Sequence, residues 1–121
     1  MPHARMALLL LTATFLTACG SPVRTVKVPD NRASFTLDDF FIAPQKVRVK
    51  PGRVTFTAVN RGRTTHSLRV TDGVHDLLTI TTLHPGERGS ATATLRRGRY
   101  KLYDAIANHE QLGASGTLVV R

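Results

Sequence analysis

His66 and His109 are the side chains of this 121-residue chain whose type and setting best suit metal chemistry. His109 lies between two alternating segments, Leu102-Tyr103 and Gly116 to Val120, five residues after Asp104 and five before Ala114. His66 opens another alternating segment, His66-Ser67-Leu68-Arg69-Val70, directly after the turn Asn60 to Thr65. Neutral imidazole is a usual ligand for copper, zinc and nickel. If both turns fall at one pole of a β-sandwich, the two rings meet. Taken singly, each histidine is as readily a surface or hydrogen-bonded residue. Other titratable groups promise less. His84 precedes Pro85-Gly86 and reads as a turn residue. His75, between Asp72 and Asp76, offers at most a surface site. Asp38-Asp39 reads as a solvated turn rather than a general acid–base pair, and Tyr100 and Tyr103 as strand or core residues. There is no Ser/His/Asp order, no Gly-rich phosphate loop and no HExxH helix. The expectation is a protein that is not an enzyme.

The elements that must position the histidines are strands. Apolar residues recur with period two at Phe35 and Leu37, at Val47 and Val49, at Val54, Phe56 and Ala58, at Leu68 and Val70, and at Ala91, Ala93 and Leu95. Turn residues punctuate the runs at Pro51-Gly52, Asn60-Arg-Gly62, Asp72-Gly73, Pro85-Gly86 and Arg97-Gly98. Short strands at such spacing predict an all-β sandwich or barrel with Phe56, Leu68, Leu102 and Leu118 in its core. Two segments resist the pattern. Asp38-Asp39-Phe40-Phe41 suggests a bulge or a strand switching sheets, and Gly73 to Leu78 a short helix or a loop.

The N-terminus belongs to a different class of segment. Met1 to Met6 is basic, and Ala7 to Ala18 is apolar but for three threonines. The run has signal-peptide length and is too short to span a bilayer. Its end, Leu16-Thr17-Ala18-Cys19-Gly20, resembles the lipobox of bacterial lipoproteins, in which the cysteine is lipidated and becomes the first mature residue. The alternative is an ordinary cleavage after Gly20. Cys19 is the only cysteine, so once lipidated it leaves no thiol for a disulfide or a metal. The expected organisation is a signal peptide over 1–18, a tether over 19–29 and one domain over 30–121. The implied location is outside the cytoplasm, lipid-anchored to a bacterial envelope membrane. The formal charge is +9, from 17 basic and 8 acidic residues, and thirteen of the basic residues are arginines scattered without a block. Aromatics are 6%, too few for the stacking platforms of a nucleic-acid reader, and export would separate the chain from nucleic acid. The charge reads as a solvated surface or as attraction to anionic lipid or an acidic protein partner.

Asn60 and His66, Pro85-Gly86-Glu87, Gly98-Arg-Tyr100-Lys-Leu-Tyr103, His109 and Gly113-Ala-Ser-Gly116-Thr-Leu-Val-Val together resemble a cupredoxin over roughly residues 30–121. The resemblance implies a Greek-key β-sandwich with one histidine ligand from a mid-chain loop. It also implies a cysteine, a second histidine and a methionine from the last loop, at the spacing held here by Asp104, His109 and Ala114. Two of those four family ligands are therefore replaced. A blue-copper centre needs a soft thiolate; Asp104 offers a hard oxygen and Ala114 offers nothing. The expected site is His66, Asp104 and His109 binding copper(II), with zinc as an alternative and an open position for water. The rival is a cupredoxin scaffold that has lost its metal. An electron-transfer protein, or oxidation at an open copper position, fits the replacements less well.

Overall fold

The computed structural model describes residues 20–121. The signal peptide expected over 1–18 and the lipidation of Cys19 lie outside the described residues. Ten strands form: β1 Thr25–Lys27, β2 Arg32–Asp38, β3 Phe41–Ala43, β4 Lys46–Val49, β5 Gly52–Asn60, β6 His66–Thr71, β7 Asp76–Leu83, β8 Arg88–Leu95, β9 Gly98–Tyr103 and β10 Ser115–Val120. They make a six-stranded sheet in the order β1-β4-β10-β9-β6-β7 and a four-stranded sheet in the order β3-β2-β5-β8. The neighbours β1/β4, β4/β10 and β2/β5 run parallel and the others antiparallel. The all-β sandwich expected from the period-two pattern is what forms.

The alternation explains the packing. In β5, Val54, Phe56 and Ala58 point inward and are fully buried, while Arg53, Thr55 and Thr57 point away from the core. Phe56 packs on Phe35 of β2 with ring centroids 5.1 Å apart. Leu68, Leu102 and Leu118 of the larger sheet close the layer from the other side, all with no exposed surface. The four core residues expected from sequence are therefore all buried. Among the described residues, the strands and the buried core cluster all fall between Thr25 and Val120. The described chain from Gly20 onward carries all ten of these strands and the core packed between them.

Three local expectations are refined. The segment expected as a tether, 19–29, contains β1, which pairs in parallel with β4 through Thr25, Val26 and Lys27. All three of its side chains are exposed. An edge strand held by backbone hydrogen bonds alone leaves no period-two signature. Asp38 to Phe41 is neither a bulge nor a sheet switch. Asp39 and Phe40 form a tight turn that returns β3 antiparallel onto β2 in the same sheet. The segment from Gly73 is a turn, not a helix: the Asp72 carboxylate accepts the Val74 and His75 N–H groups, and β7 starts at Asp76.

The site pole is assembled by three connections: the β2–β3 turn, the β5–β6 loop and the β9–β10 loop. Asn60, fully buried at the end of β5, staples the second. Its amide donates to the carbonyls of Thr64 and Leu83, each at 2.8 Å, and its oxygen accepts the Gly62 N–H at 2.8 Å. The third loop is closed by backbone bonds from Asp104 N to Ala114 O, Ala114 N to His109 O and His109 N to Ile106 O.

Candidate metal centre

Asp104 is the hub of this pole, and its two oxygens have separate tasks. Oδ1 accepts three hydrogen bonds, from Ser67 N at 3.1 Å, Ser67 Oγ at 2.9 Å and Ile106 N at 3.0 Å. These donors fix the carboxylate plane. Oδ2 faces both histidines, with His66 Nδ1 at 2.7 Å and His109 Nδ1 at 3.0 Å. Asp104 and His66 are each 1% exposed and His109 8%. Burial pushes the Asp104 carboxyl up. The bonds from Ile106 N–H, His66, His109 and Ser67 outweigh it, so the net shift is downward and the group is held ionised.

The opposite nitrogen of His66 is also held. Nε2 lies 2.6 Å from Oδ1 of Asp39, in the β2–β3 turn. Asp39 in turn accepts Arg63 N–H at 2.9 Å on Oδ2 and Thr64 Oγ at 2.7 Å on Oδ1. The Arg63 backbone bond first, then the Thr64 hydroxyl bond, hold its carboxyl well below the usual carboxylate range. Phe40 roofs the pair, its ring centroid 4.8 Å from that of His109 and 6.0 Å from that of His66. The two imidazoles are 5.0 Å apart. Gly62 makes this closeness possible, because a Cβ there would sit 2.5 Å from Asp39 Oδ1 and 2.8 Å from His66 Nε2.

The structure thus brings His66, Asp104 and His109 together, with one ligand atom from each lying within 4.8 Å of the others. The cluster could hold a metal ion. Its donor set suits one: two imidazole nitrogens and one carboxylate oxygen converge, and the ring nitrogen of His66 that faces away is bonded to a second carboxylate. That last contact is the outer support that metal-bound histidines usually have. Asp39 and Ser67 were not singled out by sequence. Asp39 was assigned to a solvated turn, and only the fold of the β2–β3 turn over the β5–β6 loop places it on His66. Ser67 carried no signal beyond its adjacency to His66. His75 and His84 stay apart from the cluster. His75 is an exposed turn residue 3.8 Å from Asp72, and His84 lies 3.5 Å from Thr65 Oγ. Ala114 is buried and offers no donor side chain.

No family model matches the chain, and no curated protein matches it. Solved structures do. A dithionite-reduced auracyanin from the photosynthetic bacterium Roseiflexus castenholzii superposes with a TM-score of 0.70 at 14% identity, covering 78% of this chain and 99% of that one. An azurin from the methylotroph Methylomonas sp. strain J gives 0.65 at 13% identity, over 74% and 97%. A purple cupredoxin from Nitrosopumilus maritimus gives 0.57 at 20% identity, over 74% and 99%. The described chain has the cupredoxin fold, as the resemblance over residues 30–121 implied. At these identities the likeness speaks for the fold, and the chemistry rests on this chain's own residues.

Proposed function

We propose that this protein is a membrane-anchored, extracytoplasmic cupredoxin-like lipoprotein that binds copper(II) through His66, Asp104 and His109. The observation that carries the reading is the division of labour at Asp104. Three donors clamp Oδ1, and Oδ2 is left aimed at the same two Nδ1 atoms that would share the ion. A bound copper would supply a Lewis-acidic centre. Around it, Asp104 supplies negative charge, Asp39 keeps the proton of His66 on Nε2, and Phe40 excludes water from one side. A hard oxygen in place of a thiolate favours copper(II) over copper(I) and gives no intense visible band. The same donor set also accepts zinc.

One observation favours the metal-free alternative. His66 has a carboxylate oxygen within hydrogen-bond distance of each ring nitrogen, so a proton on Nδ1 closes the network without any ion. Titration of copper(II) and zinc(II) into the chain from Gly20 onward decides between the two. Stoichiometric binding that is lost in His66→Ala and His109→Ala, and kept in His75→Ala and His84→Ala, supports the metal site. Absence of stoichiometric binding at neutral pH leaves the metal-free scaffold. The anchor is tested separately. The full chain expressed in a bacterium should partition into detergent, and Cys19→Ser should release or misprocess it.

A further inference from the structure

Six of the basic residues, Lys27, Lys46, Arg48, Arg99, Lys101 and Arg121, dispersed along the sequence, are gathered by the fold onto one face of the six-stranded sheet. Registers place Lys27 opposite Arg48, Arg48 opposite Val119, and Val119 opposite Arg99 in one row across β1, β4, β10 and β9. The next row runs Thr25, Lys46, Thr117, Lys101. These side chains alternate with the buried Val47, Val49, Leu118, Val120 and Leu102, so they all stand on the outer face. Arg121 joins them, lining one shallow cleft with Lys27, Lys46, Arg48 and Arg99. Lys101 is paired with Glu110, and Arg69 with Asp76. Among the described residues, Lys27, Lys46, Arg48, Arg99 and Arg121 have no carboxylate within ion-pair distance. Like charges directly opposite across strands, as Lys27 and Arg48 are, oppose folding. The other sheet shows that such a face is not obligatory here. The middle of its outer surface is a hydroxyl ladder, with Thr55 Oγ 3.2 Å from Thr92 Oγ and Thr57 Oγ 3.4 Å from Ser90 Oγ, and Arg53 and Arg88 stand apart at its two ends.

We propose that this basic face docks flat on an anionic lipid surface. The choice of lipid as occupant rests on the reading of Cys19 as an anchor. Cys19 lies six residues before Thr25, the first residue of the edge strand of this same face. Six residues reach at most about 20 Å, so an anchored Cys19 keeps β1 within that distance of the headgroups. The flat array of unpaired cations then meets the nearest large anionic surface. The tether also enters at the pole that carries the histidines, because Thr25, Lys46 and Thr117 share a row and Thr117 follows the site loop by three residues. Docking in this pose holds the His66–His109 pole beside the bilayer rather than away from it.

The test uses the chain from Gly20, which lacks any lipid, and vesicles of phosphatidylcholine with or without phosphatidylglycerol. Cosedimentation should require phosphatidylglycerol and fall steeply as salt is raised. Each cation neutralised should weaken binding by roughly fivefold. The variant Lys27→Gln, Lys46→Gln, Arg48→Gln, Arg99→Gln should therefore lose it, with circular dichroism confirming an intact fold. Arg53→Gln with Arg88→Gln, on the other sheet, should not. Absence of binding to anionic vesicles at low salt overturns the proposal, as does equal binding to neutral vesicles, or loss of binding only in the second variant. Tighter binding to polyglutamate than to vesicles overturns it in favour of an acidic polypeptide partner. Lipidation of Cys19 is read independently by detergent partition of the full chain, so failure of the anchor and failure of the face are distinguishable.

Discussion

Replacing Asp104 by asparagine separates its structural task from its ligand task. The amide oxygen can keep the three bonds from Ser67 N, Ser67 Oγ and Ile106 N. The amide NH2 then faces the two Nδ1 atoms, and neutral imidazoles can accept its protons. Each clamp bond falls from the class made to a charged group, about 1.5–3 kcal/mol, to the neutral class, about 0.5–1.5 kcal/mol. Three such changes sum to roughly 3 kcal/mol, and relief from burying a charge offsets part of that. The expected net loss is therefore about 1–2 kcal/mol. Asp104→Ala instead strands three buried donors, at about 1–3 kcal/mol apiece, which approaches the whole stability of a small domain. Urea unfolding at pH 7 with a chelator present should rank wild type, Asp104→Asn and Asp104→Ala in that order. The pH dependence gives a second readout. The folded carboxyl lies below its ordinary 3.8, so the wild-type advantage is fully present above that pH and fades as pH falls through the lower folded value. Asparagine turns donors, not a lone pair, toward the ion, so copper(II) binding should weaken, though less than on loss of a histidine, even though the fold survives. Undiminished copper binding by Asp104→Asn, or an alanine variant as stable as the asparagine one, would refute the assignment of the two oxygens.

Further outcomes follow from the same geometry. Asp39→Asn should lower copper(II) affinity by about 10–100-fold while leaving the stoichiometry unchanged, as loss of a ligand's outer support does; isothermal titration reads it. Gly62→Ala should act in the same direction through a Cβ that displaces Asp39 from His66, visible as a shifted His66 resonance in NMR spectra. Asp104→Cys should yield an intense visible band on copper loading, because Oδ2 already points at both imidazoles, and a colourless loaded variant would mean that position 104 does not reach the ion. Phe56→Ala should cost about 3–5 kcal/mol, since the ring is fully buried against Phe35 between the sheets, as measured by denaturant unfolding.

The period-two alternation and the turn residues made β2, β4, β5, β6 and β8 legible, because burial on one face of a pleated sheet must repeat every second residue, whereas β3 and β7 went unread and begin in the two segments that break the pattern. They also made Phe56, Leu68, Leu102 and Leu118 legible as core. β1 escaped notice because its three side chains are all exposed and its place in the sheet is set by backbone pairing, which side-chain pattern does not encode. The histidine and aspartate types, with the spacing around His109, marked the candidate ligands. Their approach to one another was decided only by which loops share a pole. Asp39 illustrates the limit most clearly. In sequence it is one of two adjacent acids in a turn, and only the packing of that turn over the β5–β6 loop puts its oxygen 2.6 Å from His66. The basic face has the same origin. Lys27, Arg48 and Arg99 are remote in the chain, and parallel and antiparallel strand registers line them up in one row. Local periodicity is a property of neighbouring residues, whereas register and loop packing depend on contacts between distant ones. The first is therefore written in the sequence as a pattern, and the second appears only when the chain closes on itself.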